Sequence, residues 1–152
     1  MLAILLVGDP QNAMPSLANL LRPSMQTLKH IALTIEVDGD GVDPLFGIPS
    51  ELEDMRTKNV IETITIEVLV DEKCRRGDDW GRLDKVLTTP GWFSLKEVSL
   101  VIEIAIHFKR DRTKDDDELE EALRELPETQ FPRLSSSNSV SFDFEVIPTF
   151  SM

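Results

Sequence analysis

One stretch of the chain decides its fold: Val98-Ser99-Leu100-Val101-Ile102-Glu103-Ile104. Large apolar residues alternate here with smaller or polar ones, which is the period of a β-strand with one buried face. The same alternation occurs in three further segments, which are Ile31–Val37, Ile64–Val68 and Val140–Val146. Aligned on their glutamates, the four segments lie 31, 36 and 42 residues apart, so the sequence predicts a structural repeat of uneven length.

The segments between the predicted strands change to the period of amphipathic helices. Their apolar residues recur three and four positions apart, as they do on one face of a helix. A strand, a crossover helix and another strand in sequence favour parallel pairing through right-handed crossovers. The sequence predicts four helices: Pro15–Leu21, Pro49–Met55 with Ser50 as N-cap, Asp79–Leu87 with Asp79 as N-cap, and Asp115–Leu126, which Pro127 stops.

This order of elements predicts an α/β fold, namely a short right-handed leucine-rich-repeat-like solenoid. We expect a mostly parallel sheet of four or five strands with helices on one side. No linker interrupts the pattern, so residues 1–152 should form a single domain. The stretch Leu2–Val7 is apolar at every position and too short to span a bilayer, which predicts a buried strand. Because an open sheet end exposes hydrogen-bonding groups, we expect a homodimer contact at one end, at this N-terminal strand.

Four short motifs add a resemblance to this pattern. They are WGRLDKVL at 80–87, WFSLKEVSL at 92–100, LKHIAL at 28–33 and FPRL at 131–134. Over residues 15–147 the chain resembles the leucine-rich-repeat portion of mushroom-type fungal F-box-like proteins. In that family an F-box helical module docks on a ubiquitin-ligase scaffold while the repeats hold a substrate. For this chain the resemblance implies only that the repeats hold a partner, because too few residues precede Leu28 for the three helices of an F-box module.

The charge balance narrows the classes of partner. Sixteen basic and 28 acidic side chains give a net charge of −12. Nucleic acids and anionic membrane surfaces bind proteins through clustered lysine and arginine, so neither is expected as a partner. A single cysteine, Cys74, excludes an intramolecular disulfide and favours a reducing compartment, either cytoplasmic or nuclear.

No residue pattern of an enzyme or of a metal site appears. The chain has neither a glycine-rich phosphate loop nor a Gly-x-Ser-x-Gly elbow. His30 and His107 are not spaced as metal ligands. The segment Asp38–Asp43 resembles the start of a calcium loop, but the closing position is Pro49 instead of glutamate. We therefore expect no catalytic residue, no metal and no cofactor.

The outward side of the predicted sheet is the one candidate binding surface. If the strands pair in register on their glutamates, Glu36, Glu67, Glu103 and Glu145 form one column. Adjacent carboxylates about 4.8 Å apart repel by roughly 0.8 kcal/mol even in water. Because this repulsion would recur along the column, it points to a basic partner or a bound cation that offsets it. Solvated glutamates copied by repeat duplication are the alternative. The predicted binding residues are Thr34, Glu36, Thr65, Glu67, Glu103, Asp143 and Glu145.

The expected function is therefore a non-enzymatic protein-interaction module. Its acidic and hydroxyl-bearing sheet face would hold a protein or peptide partner of basic character. A small carboxylate-dependent hydrolase or nuclease, using Glu103 with Glu145, is the enzymatic alternative, and it requires a concave pocket with split carboxyl pKa values. A third alternative is a remnant of a larger adaptor that has no role of its own.

Overall fold

Five parallel strands form one sheet, and their order in space is their order along the chain. The computed structural model describes residues 2–8, 17–37, 43–70, 77–107 and 114–151. The predicted α/β fold with a parallel sheet is confirmed, and Leu2–Val7 lies in its first strand. The strands are β1 (Leu2–Gly8), β2 (His30–Val37), β3 (Thr63–Val70), β4 (Glu97–His107) and β5 (Ser141–Ser151).

Helices occupy every connection between successive strands. A short 3-10 helix, Arg22–Ser24, directly follows the first α-helix. The last connection carries three helices, of which only the first was predicted. The α-helices are α1 (Leu17–Leu21), α2 (Ile48–Met55), α3 (Asp79–Thr88), α4 (Lys114–Arg124), α5 (Leu126–Thr129) and α6 (Pro132–Ser136).

Three predicted helix boundaries are wrong. Ser50 lies inside α2, which begins after Gly47 with its φ of 82°, and Asp79 is the first residue of α3 rather than its cap. Pro127 does not stop the fourth helix, because α4 ends at Arg124 and Pro127 lies in the first turn of α5. Proline is compatible with a first helical turn, where its missing N–H leaves no hydrogen bond unmade.

One side of the sheet faces the helices and forms the core. Alternate residues of β2, β3 and β4 are buried, and they share one cluster with the apolar faces of the helices. An aromatic group closes the core beside β5: Phe131 is fully buried, and its ring centroid lies 6.2 Å from that of Trp80 and 5.6 Å from that of Phe142. Phe142 and Phe144, predicted as core, are half-buried and pack against this cluster.

Two buried polar side chains hold helix ends in place. Asn59 donates to the carbonyls of Met55 and Arg56 at the end of α2 and accepts the N–H of Ile61 on the way to β3. Asp84, on α3, accepts the N–H groups of Arg133 and Leu134 in the first turn of α6. Since first-turn amides have no partner within their own helix, Asp84 caps α6 from another helix.

Among the described residues, none of the helices combines the length and the apolar character needed to cross a membrane.

Candidate functional site

The side of the sheet opposite the helices, which we call the outer face, is the candidate functional site. On β2 to β5 it comprises every second residue from His30, Thr63, Glu97 and Ser141. These positions are exposed or half-buried wherever their side chains are described, whereas the alternate positions on β2, β3 and β4 are buried. The structure places all seven predicted binding residues on this face.

The outer face carries a single sign of charge. Six carboxylates lie on it, and its positions on β2 to β5 include no lysine or arginine. His30 is exposed on this face at the start of β2. The carboxylates belong to Glu36, Glu67, Glu97, Glu103, Asp143 and Glu145.

The predicted column of four glutamates is wrong, because the strands pair two residues out of the assumed register. Glu67 pairs with Thr34 and Val101, while Glu103 pairs with Leu69 and Ile147. The predicted hydroxyl residues are not neighbours across the strands either, since Thr65 pairs with Ala32 and Ser99 and not with Thr34. A shift by two residues keeps every side chain on its own side of the sheet. The residues of the outer face therefore stay the same, but their neighbours on adjacent strands change.

Backbone hydrogen bonds connect neighbouring strands at their first residues, which we call the strand entries, in the observed register. Lys29 O accepts the N–H groups of Glu62 and Thr63, Glu62 O accepts those of Lys96 and Glu97, and Lys96 O accepts that of Ser141. Counted from these entries, the glutamates stand alternately six and four residues into the strands. An alignment on the glutamates could not detect this alternation.

Glutamates and apolar residues therefore form a checkerboard on the outer face. One row across β2 to β5 runs Thr34, Glu67, Val101, Glu145, and the next runs Glu36, Leu69, Glu103, Ile147. Carboxylates on adjacent strands are diagonal neighbours roughly 8 Å apart at the backbone. Their repulsion in water falls to roughly 0.5 kcal/mol per pair, so the face is acidic without stacked charges.

The predicted binding residues do not include the apolar members of this checkerboard. Leu69, Val101 and Ile147 are half-buried on the outer face, although each continues the alternation of its strand. Between β4 and β5, a recess of about 400 Å³ is lined by Ser99, Asp143, Glu145 and Val101. It offers two carboxylates beside the half-buried Val101, which suits a lysine or arginine side chain with its long aliphatic stem.

The metal candidates from the sequence contribute little to this site. Within the described ranges, no three His, Cys, Asp or Glu side chains are grouped as metal ligands. Residues 38–42 and Cys74 lie outside those ranges. Asp43 accepts the N–H of Leu45 at 3.0 Å and that of Gly77 at 2.9 Å, so its carboxylate ties two loop segments together. Burial raises the pKa of Asp43, against the lowering effect of these two bonds and of the nearby Trp80 indole.

Glu62 and Lys96 form an ion pair just before the first residues of β3 and β4. Lys96 Nζ lies 3.0 Å from Glu62 Oε1, and this hydrogen bond, with the charge of Lys96, lowers the pKa of Glu62. The pair is solvent-exposed, so salt screens it.

Comparison with known proteins adds no relative: no family model, no curated protein and no solved structure matches this chain.

Proposed function

We propose that this chain is a non-enzymatic protein-interaction module that binds a basic, extended segment of a partner protein on its outer face. The observation that carries the proposal is the checkerboard itself, in which carboxylates alternate with half-buried Leu69, Val101 and Ile147 on a face without lysine or arginine. Charge supplies orientation and a fast approach of the partner, while the apolar positions supply area that leaves water on binding.

The spacing of the face suits an extended ligand. Side chains two residues apart on a strand are roughly 6.6 Å apart, and neighbouring strands are about 4.8 Å apart. A segment that alternates basic and apolar residues can place an ammonium beside each glutamate and an apolar side chain between two of them. The recess beside Asp143 and Glu145 offers one such basic side chain a deeper contact.

Binding should depend on the glutamates of the outer face. We expect a labelled peptide of alternating lysine and valine to bind, and replacing Glu36, Glu67, Glu103 and Glu145 together by glutamine to weaken it roughly tenfold or more, since each exposed pair contributes about 0.2–1 kcal/mol. Fluorescence anisotropy at two salt concentrations measures this loss, and salt should weaken binding to the native chain.

A charge-matched control separates the face from the net charge. Asp54, Asp78, Glu121 and Glu128 are exposed on the helix side, and their amide variants remove the same charge. This control variant should bind the peptide nearly as well as the native chain. Equal losses in the two variants would mean that the peptide senses net charge alone, and the proposed site would then be wrong. A peptide of alternating glutamate and valine should not bind.

The repeat architecture and the family resemblance belong to the same proposal. We propose a short leucine-rich-repeat-like solenoid, supported by strands that follow one another in order and by a helix in each connection. On this basis the chain would act in the cytoplasm or nucleus as the substrate-holding repeats of fungal F-box-like proteins do.

The two edges of the sheet differ, which supports a homodimer through β1. Ser141 of β5 donates its N–H to the carbonyl of Lys96, the residue before β4. Every second N–H of β5 therefore points at β4, and the nitrogen of Pro148 lies on the free edge. Proline cannot donate there, and Arg124 of α4 also donates to Val146 O at 3.4 Å. The edge at β1 has no proline among Leu2–Gly8. An edge strand that is not interrupted by proline is better suited to pairing with another strand.

Light scattering tests the dimer. The full-length chain should show a mass that rises with concentration at micromolar levels, and a chain without residues 1–8 should stay monomeric. Circular dichroism must show that the shortened chain is folded. A folded full-length chain that remains monomeric throughout would contradict the proposal.

The enzymatic alternative rests on the recess between β4 and β5, where Asp143 and Glu145 lie together. It requires hydrolysis of a phosphodiester, glycoside or peptide bond that disappears in the Glu145→Gln variant. Glu103, its predicted partner, pairs with Ile147 and is therefore diagonal to Glu145. A hydrolase screen of the native chain, run beside the peptide titration, distinguishes the two functions.

A further inference from the structure

A second concave site lies away from the outer face, where the loops after α3 and α6 lead into β4 and β5. It is a groove of about 680 Å³, within the size range of small-ligand and peptide sites. Its floor is apolar, with buried Leu87 and Leu95 and half-buried Val140. Its walls carry the side chains of Trp92, Phe93 and Arg133.

Two neighbouring aromatic side chains form one wall of this groove. Trp92 is half-buried, and its indole N–H donates to Val86 O at 2.9 Å, so the polar atom of the ring is already satisfied. Phe93 beside it is 80% exposed, the highest fraction among the described exposed large apolar side chains. A ligand that covers Phe93 therefore removes a large apolar surface from water, and aromatic residues of this kind dominate binding energies at interfaces.

The loop that presents these rings is held in shape before any ligand arrives. Gly91 has a φ of 127°, which side-chain-bearing residues rarely adopt, and Arg56 of the segment after α2 donates a hydrogen bond to Pro90 O. A Cβ on Gly91 would approach the Arg56 guanidinium to 2.8 Å, so glycine permits this contact. A loop ordered in advance loses less conformational entropy on binding.

The charge of the groove is opposite to that of the chain. Arg133 is its single charged lining residue, in a protein with a net charge of −12. The guanidinium of Arg133 forms no ion pair with any residue that the structure describes. The nearby carboxylate of Asp84 already accepts the backbone N–H groups of Arg133 and Leu134.

The backbone carbonyls at the end of α3 already have hydrogen-bond donors within the protein. The carbonyls of Asp84, Lys85 and Val86 accept hydrogen bonds from the hydroxyls of Thr88 and Thr89 and from the Trp92 indole. These carbonyls therefore need no donor from outside. The Arg133 guanidinium makes no hydrogen bond or ion pair with the residues that the structure describes, and its planar N–H groups match a carboxylate.

We propose that this groove binds a short protein segment in which a carboxylate lies beside an aromatic side chain. The carboxylate would pair with Arg133, and the ring would cover Phe93 and Trp92. This site is independent of the outer face, which has the opposite charge preference, and the two proposals can fail separately.

Two small probes of nearly the same shape, which differ in one terminal group, test the groove. N-acetyl-L-phenylalaninate carries the ring and a carboxylate, and N-acetyl-L-phenylalaninamide carries the ring alone. In a nitrogen–proton correlation titration up to about 10 mM, we expect the carboxylate to shift amide resonances of residues 88–93 and 133–140 and to bind about fivefold more tightly than the amide.

Variants with matched controls assign the contacts. Arg133→Gln should abolish the preference for the carboxylate, and Phe93→Ser should weaken both probes. Phe46→Ser, at a phenylalanine that is 71% exposed elsewhere on the chain, should change neither. The proposal is overturned if groove resonances do not move, if both probes bind the native chain equally, or if Phe46→Ser weakens binding as much as Phe93→Ser. Urea midpoints of the variants confirm that each is folded before it is titrated.

Discussion

Replacing Leu100 by alanine is expected to lower the free energy of unfolding by about 2–5 kcal/mol. Leu100 is 1% exposed in β4, where it pairs with Ile66 on one side and Phe144 on the other. The substitution removes most of a buried side chain and leaves a cavity that the neighbouring strands cannot close. Urea unfolding followed by the fluorescence of buried Trp80 and half-buried Trp92 measures the loss.

Two controls on the same strand test the assignment of faces. Val101→Ala removes a half-buried side chain from the outer face and should cost about 1 kcal/mol or less. Glu103→Gln should change stability by less than about 0.5 kcal/mol, because its nearest glutamates are diagonal rather than stacked. If either control costs as much as Leu100→Ala, the inward and outward faces have been assigned wrongly.

Replacing Asp84 by alanine should cost about 2–3 kcal/mol, although no sequence motif marks this residue. Asp84 is 3% exposed, and its two oxygens accept the N–H of Leu134 at 2.8 Å and that of Arg133 at 3.2 Å. The substitution leaves two amides of α6 without partners, and a hydrogen bond to a charged group is worth about 1.5–3 kcal/mol. Chemical unfolding at neutral pH provides the measurement.

The effect of Asp84 should also vary with pH in a defined direction. Burial raises the pKa of Asp84 from its ordinary value of 3.8, against the lowering effects of the two amide hydrogen bonds and of the Arg133 charge. The folded protein therefore binds this proton more tightly than the unfolded chain does. The proton-linked part of the stability that Asp84 contributes is therefore fully present below pH 3.8 and is lost as the pH rises through the raised pKa, whereas the two amide hydrogen bonds still contribute at neutral pH.

Unfolding curves of the native chain and of Asp84→Ala, collected from neutral pH toward pH 4, test this direction. The cost of the substitution should grow as the pH falls into that window. Asp84→Asn serves as the control, because it keeps one acceptor oxygen but does not titrate. A cost for Asp84→Ala that shrinks on acidification would show that the amide hydrogen bonds, and not burial, dominate the titration of this carboxyl.

The alternation of apolar and polar residues determined the strands and their two faces. A strand such as β4 has a period of two, so each residue's side follows from its neighbours alone. Periodicity also predicted the helical regions that contain α1, α2, α3 and α4, but it missed α5 and α6. Each of these helices is only one turn long, and the N-terminal amides of α6 depend on Asp84, which lies 50 residues from Leu134.

Tertiary structure alone decided the register, and with it the character of the candidate site. The four glutamates share one sequence pattern, yet they stand at alternating distances from the strand entries, where backbone bonds such as Ser141 N–H to Lys96 O accompany the pairing. A shift of two residues leaves the alternation of apolar and polar residues unchanged, so the sequence of a single strand cannot reveal it. Periodicity within one strand thus determined which side chains face solvent, while hydrogen bonding between strands far apart in the chain decided which of them are neighbours.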